Sequence, residues 1–157
     1  MNESFTFIAS IAPTLLAAVP MTLVLTFLSA VIGNSLALPI AVARLSGNVF
    51  VRYPSAFFIF VMRGTPLLAQ TYLIYYGLGE LLPGSWVQQS FLWPYLREGF
   101  WYAVFAFSLN TAGYTGEILR GAIEAVPRGE IEAAKAYGMS SRMIFWRIKL
   151  PRAVQIC

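Results

Sequence analysis

Arg63 stands inside a run of apolar residues and is followed at once by Gly64, Thr65 and Pro66. Farther along, Asn110, Tyr114 and Glu117 recur at i, i+4 and i+7, the spacing that puts them on one helix face, with the hydroxyls of Ser108, Thr111 and Thr115 nearby. A guanidinium, an amide and a carboxylate are expensive in hydrocarbon, so such groups belong against a helix bundle or a wet cavity. What they offer there is exchange of water for protein donors and acceptors, the chemistry of a polar path through an apolar medium. Two plainer roles stay open. Arg63 follows the start of its apolar run by about nine residues, about 13 Å at helical rise, so its head can snorkel, with strain, toward the headgroups. Glu117 can simply pair with Arg120 at i+3. Catalysis is poorly served, because the chain has no His and no Asp and no Ser or Cys beside an evident base. Cys157 is the sole cysteine, so neither an intrachain disulfide nor a Cys-cluster metal site is possible.

Long apolar elements must position these groups. Hydrophobic residues make up 58% of the chain and charged ones 11%, against about 25% charged in a soluble domain. A spanning helix needs about 20 largely apolar residues. Three stretches qualify, near 20–43, 54–78 and 99–119. An earlier stretch, 5–19, is interrupted by Pro13 and reads as an interfacial segment or an extension of the first span. No Lys or Arg precedes it, which argues against a signal peptide. Pro66 removes a backbone donor, so the second span is expected to kink or unwind at 63–66.

Arg44 and Arg52 flank the first connection, and Arg120, Arg128, Lys135, Arg142, Arg147, Lys149 and Arg152 follow the third span, which puts nine of eleven basic residues on one side. The N-terminus is therefore expected outside and the segment after the third span in the cytoplasm. That asymmetry accounts for the net charge of +4 without nucleic acid, while leaving attraction to anionic lipid. The outer connection, 79–98, holds Pro83, Gly84, Trp86, Trp93, Pro94 and Tyr95, which suit an aromatic interface belt or a face for an external partner. Ala112 and Gly116 form a small-residue pair that lets helices approach closely.

The segment 128–151 is basic and helix-forming in an otherwise apolar chain. It carries Glu132-Ala133-Ala134, then Gly138 as a natural helix terminator, then Ile148-Lys149-Leu150-Pro151. Ser140 or Ser141 can cap a second helix running through Trp146. Taken alone, this is equally an amphipathic helix lying on the inner leaflet.

The spacing of those residues resembles the EAA loop of bacterial ABC-importer permeases. Arg63-Gly64-Thr65-Pro66-Leu67-Leu68-Ala69-Gln70, followed by Tyr75-Tyr76-Gly77-Leu78, is similar to the permeases for polar amino acids of the histidine, glutamate, glutamine, arginine and opine type. So is Tyr114, Glu117, Ile118, Arg120, Gly121, Ala122, Ile123, with Gly113 where that group usually has Ala. Glu130 stands where it usually has Gln.

The resemblance implies an all-α, polytopic membrane helix bundle, a type I ABC-importer transmembrane domain with about three spans present and the last two of the family missing. It divides the chain into an external or interfacial segment, 1–19, and an incomplete permease domain, 20–157, with its coupling loop at 128–151. Glu132, Ala133, Ala134, Gly138, Ile148, Leu150 and Pro151 would couple to a cytoplasmic ABC ATPase, the two alanines keeping one side flat for close approach. Arg63, Gly64, Thr65, Pro66, Gln70, Asn110, Tyr114 and Glu117 would line or shape the pathway.

The implied function is a permease subunit of an ATP-driven importer for polar amino acids, whose zwitterionic solutes need acceptors for their ammonium groups. It would not be an enzyme itself: the partner subunit uses the ATP, and no cofactor or metal binds this chain. The implied partners are that ATPase, an identical or homologous second permease, an external or periplasmic solute-binding protein, and lipid of the bacterial inner membrane. Family members continue beyond the loop, so a chain of 157 residues is expected not to transport by itself. The competing reading is a non-transport membrane scaffold, or an inactive piece, that binds lipid or a cytoplasmic partner.

Overall fold

A computed structural model of the chain describes residues 2–81, 89–91 and 93–157. Pro83, Gly84 and Trp86 of the aromatic connection lie outside the described residues. The described residues are helical throughout, joined by short turns, and contain no strand.

The first helix, α1, runs unbroken from Asn2 to Arg44, through Pro13, Pro20 and Pro39. It shows no break at residue 19, so the early apolar stretch is continuous with the helix of the first expected span. Its Ala9–Arg44 portion has a mean hydropathy of 2.4 and little of it is buried. Leu15, Leu16, Met21, Leu23 and Phe27 all stand exposed, a surface suited to lipid and not to water. Several of its polar side chains bond to the preceding turn, although Ser29 Oγ is buried with no partner. Thr26 Oγ1 donates to the Thr22 carbonyl at 2.8 Å, Asn34 Nδ2 to Ala30 at 2.8 Å and Ser35 Oγ to Val31 at 2.7 Å.

Asn48 caps the second helix, α2 (Val49–Gly64), by accepting the Phe50 N–H at 3.0 Å. α2 breaks at Thr65-Pro66, and α3 (Leu67–Leu81) leaves at 110° to it. A four-residue turn of helix, α4 (Trp93–Leu96), precedes the long α5 (Gly99–Glu124). The Tyr95 and Trp101 rings pack edge to face at 5.2 Å across that junction.

α5 is the centre of the bundle. It buries Val104, Ala106, Ser108, Ala112, Gly113 and Gly116 within the bundle it forms with α1, α2 and α3, and Ala122 and Ile123 at its lower end. Small residues make this possible. A Cβ on Gly33 of α1 would lie 2.8 Å from the Ser108 carbonyl oxygen and 2.6 Å from Thr111 Cβ. One on Gly116 would lie 3.4 Å from the Ala37 carbonyl oxygen, and one on Gly113 2.7 Å from Met62 Cβ. The expected close approach through Ala112 and Gly116 is thus present, and it extends to Gly33, Ala37 and Ala41 on the facing helix. The contacts advance in the same direction along both chains, so α1 and α5 run parallel, and the bent α2–α3 pair makes the return.

By length and apolarity, one described helix can cross a membrane alone, and the bent pair can form a second crossing. α5, the third expected span, has the length, since 26 residues rise about 39 Å. It lacks the apolarity because its polar and small side chains face other helices, which relieves it of meeting lipid on every side.

Candidate functional site

The break between α2 and α3 follows from donor accounting. In an uninterrupted helix the N–H of residue 66 would serve the Met62 carbonyl, and proline has none. Gln70, in the first turn of α3, reaches back to fill the gap. Its Nε2 lies 3.0 Å from the Met62 carbonyl oxygen, 3.1 Å from that of Thr65 and 2.7 Å from Thr65 Oγ1. Thr65 Oγ1 itself donates to the Val61 carbonyl at 2.7 Å. From α5, Asn110 Nδ2 donates to the Met62 carbonyl at 3.1 Å and to Gln70 Oε1 at 3.1 Å. Gln70 is buried, although it is polar. Both amides therefore spend their hydrogens on the protein and stabilise the bend.

One residue beyond Met62, Arg63 lies over Tyr114, its Cζ 5.6 Å from the ring centroid, in cation–π geometry. With Ile59, Phe60 and Gly64 they line an open hollow of about 320 Å³. Tyr114 follows Asn110 by one helical turn, so the expected common face is real at these two positions. The third member of the stripe is engaged elsewhere. Arg120 donates to Glu117 Oε1 from Nε at 2.9 Å and from a terminal nitrogen at 2.7 Å, and also pairs with Glu124. This is the plainer i+3 pairing. It leaves Glu117 Oε2 buried and without a partner, with Arg44 and Arg63 within electrostatic reach.

The basic segment folds as a knob under α1 and α5. The helix α6 (Arg128–Ala136) ends at Tyr137, and Gly138 takes φ +78°. Its N–H returns to the Lys135 carbonyl at 2.9 Å, and the Met139 N–H returns to Ala134 at 3.1 Å, so two of the last carbonyls are satisfied. Of the two candidate caps, Ser140 serves α7 (Ser141–Ile144), accepting the Met143 N–H at 3.4 Å. The helix then widens to a π turn over Phe145–Lys149 before α8 (Leu150–Ile156). Pro151 follows directly where the π turn passes into α8.

Ala153 is fully buried on Ala122 and Ile123, with Leu45 and Phe145 beside them, and this packing fixes the knob to the bundle. Arg152 donates to Glu130 at 2.6 Å and ties α8 to α6. The Arg152 guanidinium holds the Glu130 carboxyl below the usual carboxylate range.

The knob differs from expectation on one face. Glu132 and Ala133 are exposed, but Ala134 is buried and packs inside the chain. The flat outer side therefore consists of Ala133 and not of both alanines, because successive helical residues are turned by about 100°. Gly138 and Pro151 are exposed, and Ile148 and Leu150 half-buried. Sequence reasoning missed Tyr137, which is 90% exposed beside the glycine cap. It also missed Met62, whose role was legible as the residue four before Pro66.

This arrangement can be compared with known proteins. A family described as "Binding-protein-dependent transport system inner membrane component" matches residues 33–156. The chain belongs to this family. The octopine transport system permease protein of Rhizobium meliloti is 47% identical to this family member over 150 residues, which is 96% of the chain and 58% of that relative. The histidine/lysine/arginine/ornithine transport system permease protein of Escherichia coli strain K12 is 44% identical, over 88% of the chain and 57% of the relative. The chain therefore spans somewhat more than half the length of the curated relatives it matches. A crystal structure of an amino acid ABC transporter with histidines superposes with a TM-score of 0.77 at 32% identity, covering 96% of this family member and 65% of that chain. The all-α bundle thus has the architecture of an ABC transporter membrane domain, and the chain corresponds to part of such an inner-membrane component.

Proposed function

We propose that this chain forms part of the translocation pathway of an ATP-driven importer for polar amino acids or opines, and that segment 128–151 couples it to a separate ATPase. The observation that carries the reading is the broken α2–α3 pair set against the polar face of α5 inside an apolar bundle. Arg63, held over Tyr114 in its hollow, offers donors for a carboxylate. Gly64, Thr65 and Pro66 make the break, Gln70 and Asn110 support it, and Glu117 supplies a buried carboxylate oxygen nearby.

In this reading α6 docks on the ATPase through Glu132, Ala133 and the Gly138 turn. Ile148, Leu150 and Pro151 orient the returning helix. ATP is bound and hydrolysed by that partner, and this chain carries no cofactor or catalytic residue. A second permease subunit and an external solute-binding protein complete the assembly. The N-terminus lies outside and the knob in the cytoplasm. The basic asymmetry supports that orientation, and the parallel course of α1 and α5 is consistent with Arg44 and the knob sharing one side.

The experiment is co-purification from membranes with the cognate ATPase, followed by solute uptake in vesicles that also receive the binding protein. Retention of the ATPase by the parent chain and its loss in Gly138→Arg are expected. Retention indifferent to that change would favour a scaffold that only binds lipid or another cytoplasmic partner.

A further inference from the structure

We propose that Gln70 and Asn110 act as one positioning clamp, which registers α5 against the α2–α3 break and so holds Arg63 over Tyr114. The consequence for transport rests on the function proposed above; the clamp itself does not.

The argument starts from hydrogens. Gln70 Nε2 has two and lies within reach of three oxygens, at 2.7 to 3.1 Å. One oxygen is therefore always in excess. Asn110 supplies the missing donor to the Met62 carbonyl, and its second hydrogen goes to Gln70 Oε1. That second bond fixes which end of the Gln70 amide faces α5, because a reversed amide would set donor against donor. Each side chain thus makes the other's geometry necessary. Gln70 is buried, so a substitute for its donors must come from the protein.

The placement of the clamp gives it its effect. Met62 with Asn110, and Arg63 with Tyr114, are successive rungs between the same two helices. Gly113 lies between Asn110 and Tyr114 and admits Met62 at a separation that a Cβ would fill. A shift of α5 by one turn would undo both rungs together. α5 runs without interruption from Gly99 to Glu124, and only Ala125, Val126 and Pro127 separate it from α6. Displacement of the knob therefore reaches the clamp through a single rigid helix.

The test uses the whole chain in membranes with Cys157→Ser, and cysteines at the hollow-lining residues Phe60→Cys and Tyr114→Cys. The reading is the rate at which a short bifunctional thiol reagent bridges them. Asn110→Leu and Gln70→Leu are each expected to slow bridging about fivefold, the effect of one net hydrogen bond. The double variant should be no slower than either single one. Should Asn110→Leu fail to accumulate, Asn110→Ser, with one donor in place of two, gives the same comparison. Unchanged bridging, or losses that multiply in the double variant, would overturn the proposal.

Uptake with the ATPase and binding protein, measured without the cysteine pair, separates position from contact. Asn110→Leu should lower the maximal rate and leave the half-saturating solute concentration unchanged. A raised half-saturating concentration with unaltered bridging would make Asn110 a solute contact and overturn the clamp. The parent chain spans somewhat more than half the length of its relatives, so absence of its uptake bears on neither reading, and bridging alone then decides the clamp.

Discussion

The Asn110 side-chain amide donates to the Met62 carbonyl at 3.1 Å, and Pro66 is the reason that carbonyl is free. A lost helix bond on one element has become a bond between two. Pro66→Ala returns the missing N–H, so the bend of 110° should open and Asn110 should lose part of its role. In the parent, Asn110→Leu leaves a buried carbonyl short of a donor and should cost about 1 kcal/mol; on the Pro66→Ala background it should cost less. A double-mutant cycle of thermal unfolding in detergent measures the difference, and equal costs on both backgrounds would contradict the donor accounting.

Gly33 marks the tightest passage between α1 and α5. Gly33→Ala would bring a Cβ to 2.8 Å from the Ser108 backbone oxygen, an atom with no flexible side chain to give way. Separation of the helices should cost about 1–3 kcal/mol. Gly47→Ala, with nothing within 4 Å of the added carbon, is the control and should be neutral. Melting of both variants in the same detergent checks the contrast.

Gly138 holds the turn of the knob at φ +78°. Gly138→Val places a β-branched residue in the left-handed region, at a cost of about 1–2 kcal/mol or more, whereas Gly138→Asn should be better tolerated. Chymotrypsin reports the outcome, because the exposed Tyr137 immediately precedes the cap. Cleavage there should quicken in Gly138→Val and change little in Gly138→Asn.

The Glu130–Arg152 pair gives the knob a pH dependence of known sign. The carboxyl of Glu130 titrates below its ordinary range in the folded chain. Its contribution is therefore fully present above the unfolded value, about 4.3, and is lost as pH falls through the lower, folded value. Glu130→Gln should thus be slightly less stable than the parent at neutral pH, with the difference closing in acid. The pair is solvent-exposed, so high salt should shrink the same difference. Melting midpoints of the two proteins across that range test both.

Much of this architecture was legible in the chain. Apolar runs and Pro66 announced long helices and a break, because lipid compatibility and the loss of a backbone N–H are local properties. Gly138 likewise declared its turn, and Ser140 or Ser141 its cap. Other features came only from the packing. Gln70 and Asn110 are 40 residues apart, and nothing local distinguishes an amide that faces a solute from one that serves a stranded carbonyl. Glu117 had two plausible partners, its own helix and a wet path, and the Arg120 geometry chose the first for one oxygen only. Ala133 and Ala134 are chemically identical, and their fates differ because α6 leans on α7 and the π turn with one face. Whether a polar side chain lines a path or braces it depends on which carbonyls its neighbours leave unserved, and that is decided when separate helices meet.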